Sequence, residues 1–231
     1  MSARAEVTAP SERRAAAGRR LGRVLAPTLY AVRRSGVDLV PADGPLVVVS
    51  NHSGFLDGPL IYSTFPRPLH FLVKRSYFET RFGVLLRGTG QIPISQATGD
   101  RAALAAARAV LARGGAVGVF PEGTRGSGQV EQAEQGAAFL ALQAKARVLP
   151  VASLGTRTTG GGRDSWPRLR SRMEVVFGEP FRVDDDLGGP GRERMRRATE
   201  TLRTGLAEHV RAAVDATGLA LPGDTPPPSL R

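Results

Sequence analysis

A histidine and an aspartate with four residues between them, His52 and Asp57, stand in the segment Ser50–Asn51–His52–Ser53–Gly54–Phe55–Leu56–Asp57. The two side chains can meet if the chain turns at Ser53–Gly54, and glycine makes such a turn inexpensive. An imidazole held by a carboxylate on one nitrogen presents the other nitrogen as a base, and the carboxylate stabilises the imidazolium that forms. This is the His–Asp half of a hydrolase triad. The nucleophile is missing, since the chain has no cysteine and no G-x-S-x-G elbow. The simplest chemistry is a hydroxyl of the substrate itself, deprotonated by His52, attacking an acyl carbon. Taken alone, the spacing also fits an ordinary loop histidine and an aspartate that caps the next helix.

A second cluster follows the run Gly115–Phe120: Pro121–Glu122–Gly123–Thr124–Arg125–Gly126. A tight, glycine-punctuated loop at a strand end can aim backbone N–H groups at an anion. Arg125 adds a forked, permanent cation suited to phosphate. Glu122 could orient Arg125 or hold a substrate hydroxyl. By itself the segment also fits a surface turn with a Glu–Arg pair. The remaining histidines, His70 in an apolar run and His209 in a long helical pattern, read as structural.

These loops must be carried by regular elements. Apolar runs predict strands at 46–49, 69–73, 91–94, 116–120, 147–154 and 173–177. The 91–94 strand should be short or marginal, because Pro93 cannot donate to a ladder. Helical patterns cover 100–113, 133–144 and 192–216, the last with Met195, Leu202, Leu206 and Val210 in a stripe. The alternation implies a single α/β domain, a largely parallel mixed sheet flanked by helices. In such sheets ligands sit at the carboxyl ends of strands, where both clusters fall.

Further out, residues 1–18 read as a disordered basic arm and 218–231 as a disordered, proline-bearing tail, leaving 37–217 for the chemistry-bearing domain. Residues 19–36 read as an amphipathic helical segment, with Leu21, Val24, Leu25, Leu29 and Val32 on one face and Arg19, Arg20, Arg23, Arg33 and Arg34 flanking them. Such a helix suits a membrane interface, and equally a helix packed on its own domain with its arginines in solvent, though Pro27 should kink or divide it. The net charge of +11 calls for an anionic partner, and arginine carries it, since Lys74 and Lys145 are the only lysines. Nucleic acid is disfavoured: aromatics are only 6% and the arginines are dispersed, so neither a stacking platform nor a reading helix is evident. No run reaches the roughly 20 apolar residues of a membrane span, and no secretory signal is apparent. The absence of cysteine excludes disulfides, thiolate nucleophiles and Cys-ligated zinc.

Together, a strand ending in NHSGFLD and a later strand ending in FPEGTRG resemble the lysophosphatidic acid acyltransferase family, the PlsC-like glycerolipid acyltransferases. Its N-H-x-x-x-x-D and F-P-E-G-T-R blocks are both intact. The stretch PADGPLVVVSNHSGFLDGPL and the later VLPVASLGT, with Pro150–Val151, extend the similarity over residues 20–180. The resemblance implies an acyl-CoA or acyl-carrier-protein donor, a lyso-phospholipid acceptor, and no metal or cofactor. It implies His52 as general base, Asp57 as its orienting partner, and Glu122, Gly123, Thr124 and Arg125 as acceptor-binding residues, with Arg125 on the phosphate. Lys74 and Arg101 are added as further basic residues for substrate. The protein is expected in the cytoplasm, peripheral on the anionic inner face of the cell membrane. Two departures remove positive charge from the expected phosphate site: Gln96 where the family usually supplies an arginine, and Gln135 where a lysine commonly precedes the glycine. They keep a phosphate-free lyso-lipid or another alcohol open as acceptor. An acyl-CoA thioesterase, with water in place of the alcohol, and an inactive lipid-binding relative are the competing functions.

Overall fold

The computed structural model describes residues 10–95, 100–158, 162, 164–183 and 190–222. Gln96, residues 1–9 of the expected arm and residues 223–231 of the expected tail lie outside the described residues. The chain order is α1 (Glu12–Leu29), β1 (Ala31–Ser35), β2 (Leu46–Ser50), α2 (Asp57–Thr64), β3 (Leu69–Lys74), α3 (Arg75–Phe78), α4 (Gly83–Gly88), β4 (Ile92–Ile94), α5 (Arg101–Ala112), β5 (Ala116–Val119), α6 (Gln135–Ala144), β6 (Arg147–Leu154), β7 (Arg172–Phe177) and α7 (Gly191–Thr217).

Seven strands form one sheet in the order β1-β7-β6-β2-β5-β3-β4. Every neighbouring pair is parallel except β6 with β7. The central strand β2 is buried along its whole length. Its alternating side chains feed two cores, as the twofold period of a strand requires. Val47 and Val49 join Val117, Val148 and Leu202 under α5, α6 and α7. Leu46 and Val48 join Ile61, Phe65, Leu149 and Met173 beneath α2. The result is a helix–sheet–helix sandwich, the expected α/β class.

Pro93 sits where a missing donor costs least: β4 is the outermost strand, paired only to β3. The stripe of the long helix is also observed, with Leu202, Leu206 and Val210 buried and Met195 partly so.

The N-terminal reading needs correction in three respects. Helix α1 is one continuous element of 18 residues that starts at Glu12, inside the span expected to be a disordered arm. Pro27 lies in its final turn and does not divide it. Residues 31–35, assigned to the amphipathic segment, form strand β1 beside β7. Backbone pairing with a distant strand overrides a local pattern that carries little β signal. Helix α1 lies across α2: Tyr62 donates its hydroxyl to the Ala15 carbonyl at 2.6 Å, Arg19 reaches the Phe65 carbonyl, and Arg113 pairs with Glu12 at 2.9 Å. At the other end, Leu221 is buried in the α7-side core, inside the span expected to be a disordered tail.

Candidate active site

Strands β2, β5 and β6 run side by side in one direction. Their carboxyl ends therefore open on one edge of the sheet, and three loops meet there: 51–57, 120–126 and 153–157. His52 leaves β2, and Asp57 opens α2. His52 Nδ1 lies 2.9 Å from Asp57 Oδ2. A carboxylate only accepts, so Nδ1 carries the proton, and in the neutral imidazole Nε2 keeps its lone pair.

Asp57 is fully buried, and a buried carboxylate must be compensated by donors. Oδ2 takes the backbone N–H groups of Ser53 and Gly54, each at 2.8 Å. Oδ1 takes the Ser153 hydroxyl at 3.1 Å and the Thr156 hydroxyl. The helix-capping alternative fails, because these N–H groups precede α2. Gly54 serves a different purpose from the one expected. Its φ is not positive, and a Cβ there would stand 2.6 Å from the Thr156 carbonyl oxygen. The missing side chain makes room for the 153–156 segment to reach Asp57.

Asn51 fixes that segment. Its side-chain amide donates to the Ser153 carbonyl at 3.0 Å and accepts the Ser153 N–H at 2.8 Å. The side chain thereby extends the β2–β6 ladder one step beyond Ser50 and Val151.

The imidazole plane is set from below. His52 stacks on Phe120 with ring centroids 4.0 Å apart, and Phe120 stacks on Phe71 at 5.2 Å. Gly118 permits the stack, since a Cβ there would come within 2.5 Å of the Phe71 ring. The ring of His52 is therefore held at its edge by Asp57 and on its face by Phe120.

The Pro121–Gly126 loop docks on the same residue. Glu122 Oε1 accepts the His52 backbone N–H at 2.7 Å, and the Gly126 N–H donates to the His52 carbonyl at 2.8 Å. Burial, together with the negative charges of Asp57 and Glu131, pushes the Glu122 carboxyl up to about 7, against the lowering effect of the His52 N–H. Arg125 places Nη2 at 3.1 Å from the Tyr77 hydroxyl and Nη1 at 2.8 Å from Asp164. Gly123 holds a positive φ at the turn, as a glycine-punctuated loop requires, and Thr124 is exposed beside it.

Lys74 and Arg101 stand apart. Lys74 ends β3, and Arg101 opens α5 beyond β4, one strand further from His52. Neither bonds to the dyad or to Glu122 among the described residues. Gln135 is exposed at the first turn of α6. Of the other histidines, His70 donates to the Gly90 carbonyl and His209 to that of Val176, and burial lowers the affinity of both for a proton. No group of residues suited to holding a metal ion occurs among those described.

A histidine held by a buried carboxylate at the carboxyl edge of an α/β sheet is an arrangement suited to moving a proton in a group transfer. Residues 31–154 match the family model for the acyltransferase domain, so the chain belongs to this acyltransferase family. The chain is 28% identical over 171 residues to the 1-acyl-sn-glycerol-3-phosphate acyltransferase of Bacillus subtilis, covering 73% of this chain and 83% of that protein. It is 30% identical over 152 residues to the enzyme of the same name from Streptococcus pneumoniae, covering 64% of this chain and 54% of that one. The fold matches the crystal structure of the 1-acyl-sn-glycerophosphate (LPA) acyltransferase PlsC from Thermotoga maritima, with a TM-score of 0.63 and 23% identity, over 86% of this chain and 80% of that one.

Proposed function

We propose that this acyltransferase moves a fatty acyl group from an acyl-CoA or acyl-carrier-protein thioester to the hydroxyl of a lyso-phospholipid of the 1-acylglycerol-3-phosphate type. The observation that carries the reading is the His52–Asp57 pair, whose imidazole bonds to no hydroxyl or thiol among the described residues. His52 Nε2 takes the proton of the acceptor hydroxyl, and the oxygen attacks the thioester carbonyl. The C–S bond then breaks and the leaving thiolate collects the proton from the imidazolium. Asp57 fixes the tautomer and stabilises the transient cation. Arg125 takes the acceptor phosphate, Glu122 holds the loop against His52, and Lys74 and Arg101 extend the basic edge of the site.

The acceptor reaches the site from an anionic membrane surface, the inner face of the cell membrane. An exposed apolar band supports this: Leu21, Val24, Leu25 and Leu29 on α1, Val84 and Leu85 on α4, and Trp166 and Leu169. Parts of the band are linked: Arg170 donates its N–H to the Leu29 carbonyl, and Phe55 meets the rings of Phe82 and Trp166. Phe55 belongs to the catalytic loop, so the band ends at the site. Exposed Arg20, Arg23, Arg168 and Arg170 border it, as a headgroup-facing rim would. No described helix is long and apolar enough to cross a membrane.

The test is thiol release from oleoyl-CoA with and without 1-oleoylglycerol-3-phosphate, for the wild type and His52→Ala. Release that requires the acceptor and stops in the variant is expected. Release without acceptor would mean a thioesterase, and full activity in His52→Ala would remove the base assignment.

A further inference from the structure

Arg125 is the residue to which the preceding reading gives the acceptor phosphate, and its guanidinium already holds a carboxylate. Asp164 Oδ1 lies 2.8 Å from Arg125 Nη1, while the Tyr77 hydroxyl lies 3.1 Å from Nη2. The two partners differ in exposure. The Arg125 side chain is 19% accessible, whereas that of Asp164 is 87% accessible. The cation is thus lodged in the protein wall and its counter-ion stands at the solvent rim.

A carboxylate and a phosphate present the same thing to a guanidinium: an anionic oxygen that accepts its N–H groups. A solvent-exposed carboxylate on arginine is held by at most about 1 kcal/mol, so it is readily exchanged for a dianion. We propose that Asp164 is an acceptor-specificity residue, which competes with the acceptor phosphate for Arg125 and weakens the binding of phosphate-bearing acceptors selectively. This rests on Arg125 being the phosphate ligand. The bond from Arg125 Nη2 to the Tyr77 hydroxyl does not depend on Asp164.

The same stretch of chain bears a built-in reporter. Trp166 is the only tryptophan of the protein and lies two residues beyond Asp164. Its ring is 5.2 Å from that of Phe55, in the loop between His52 and Asp57. Exchange of Asp164 for a phosphate at Arg125 therefore alters the surroundings of an indole that contacts the catalytic loop.

The experiment compares wild type, Asp164→Asn and Arg125→Gln with two acceptors, 1-oleoylglycerol-3-phosphate and phosphate-free 1-oleoylglycerol. Oleoyl-CoA is the donor, and acceptor binding is titrated in parallel through Trp166 emission without donor. Asp164→Asn is expected to lower KM and Kd for the phosphate acceptor roughly two- to fivefold, the ratio that an exposed ion pair supplies, and to leave those for 1-oleoylglycerol unchanged. Arg125→Gln should raise both constants for the phosphate acceptor alone. If Arg125→Gln raises them and Asp164→Asn leaves them unchanged or also raises them, Asp164 is a bystander or a support for the arginine, and the proposal falls by itself. If Arg125→Gln has no effect on the phosphate acceptor, the assignment of its phosphate to Arg125 falls, and the competition with it.

Discussion

Glu122 links the electrostatics of the site to its stability, and Glu122→Gln isolates that link. The carboxyl stands at about 7 in the folded chain instead of an ordinary 4.5, mainly because burial disfavours its charge. A carboxyl raised in the folded state keeps its proton where the unfolded chain has lost it. Between pH 4.5 and about 7 the folded state therefore binds more protons, and its stability falls as pH rises; above about 7 the full penalty applies. Raising a carboxyl from 4.5 to about 7 corresponds to about 3 kcal/mol. Partial exposure of Glu122 screens this to about 1–2 kcal/mol. Glutamine keeps an oxygen to accept the His52 N–H and has no charge to bury. Its advantage over glutamate should therefore be small at pH 5 and grow by about 1–2 kcal/mol at pH 8. For a chain of this size that is roughly 2–8 °C in Tm. Thermal melts of both proteins at the two pH values make the measurement. A difference in Tm that is the same at pH 5 and pH 8, or that shrinks at pH 8, would refute the reasoning, since any pH-independent packing effect of the amide cancels in the comparison.

Two further outcomes are expected. Thr156→Val removes a hydroxyl donated to the buried Asp57 carboxylate, a bond to a charged group worth about 1.5–3 kcal/mol. We expect kcat to fall about tenfold or more with acceptor KM within about twofold, and Thr156→Ser to restore it; a lower Tm with unchanged kcat would leave Thr156 a packing residue only. At the surface, the pair Leu21→Asp and Val24→Asp replaces two exposed apolar side chains of α1. Each buries about 1.5–3 kcal/mol in an interface, so co-sedimentation with phosphatidylglycerol vesicles should drop by a factor of roughly ten or more while the melting curve stays in place. Undiminished sedimentation would move the membrane face elsewhere.

The parts of the site that were legible in the sequence are those carried by one stretch of chain. His52, Asp57 and the Phe120–Arg125 loop each span a strand end and the turn after it, so residue type and spacing define them. What stayed hidden depends on which strands are neighbours. Asn51 means little until β6 lies beside β2, and then its amide completes a ladder to Ser153. Ser153 lies near the end of β6 and Thr156 just after it, and only the pairing of that strand with β2 brings their hydroxyls to Asp57. The stretch VLPVASLGT was visible as a family feature, yet nothing local linked it to the dyad. Edge elements failed for a related reason. β1 owes its conformation to β7, and Arg33 and Arg34 look the same in an amphipathic helix as on an edge strand.

The non-sequential order of the sheet is what holds the His52–Asp57 pair so firmly. With β5 and β6 on either side of β2, each neighbour constrains a different degree of freedom of the same imidazole. From β6 come the hydroxyls that hold Asp57, which fixes the edge of the ring and its tautomer. From β5 comes Phe120, which fixes the face, with Gly118 admitting Phe71 beneath it. The loop after β5 closes on the backbone of His52 from both sides, through Glu122 and Gly126, and carries Arg125. On the proposed mechanism a histidine so placed needs no serine or cysteine partner, because the hydroxyl arrives with the substrate. Orientation of a reacting group lowers a barrier, and each constraint on this imidazole traces to a residue that β2 could not have positioned alone.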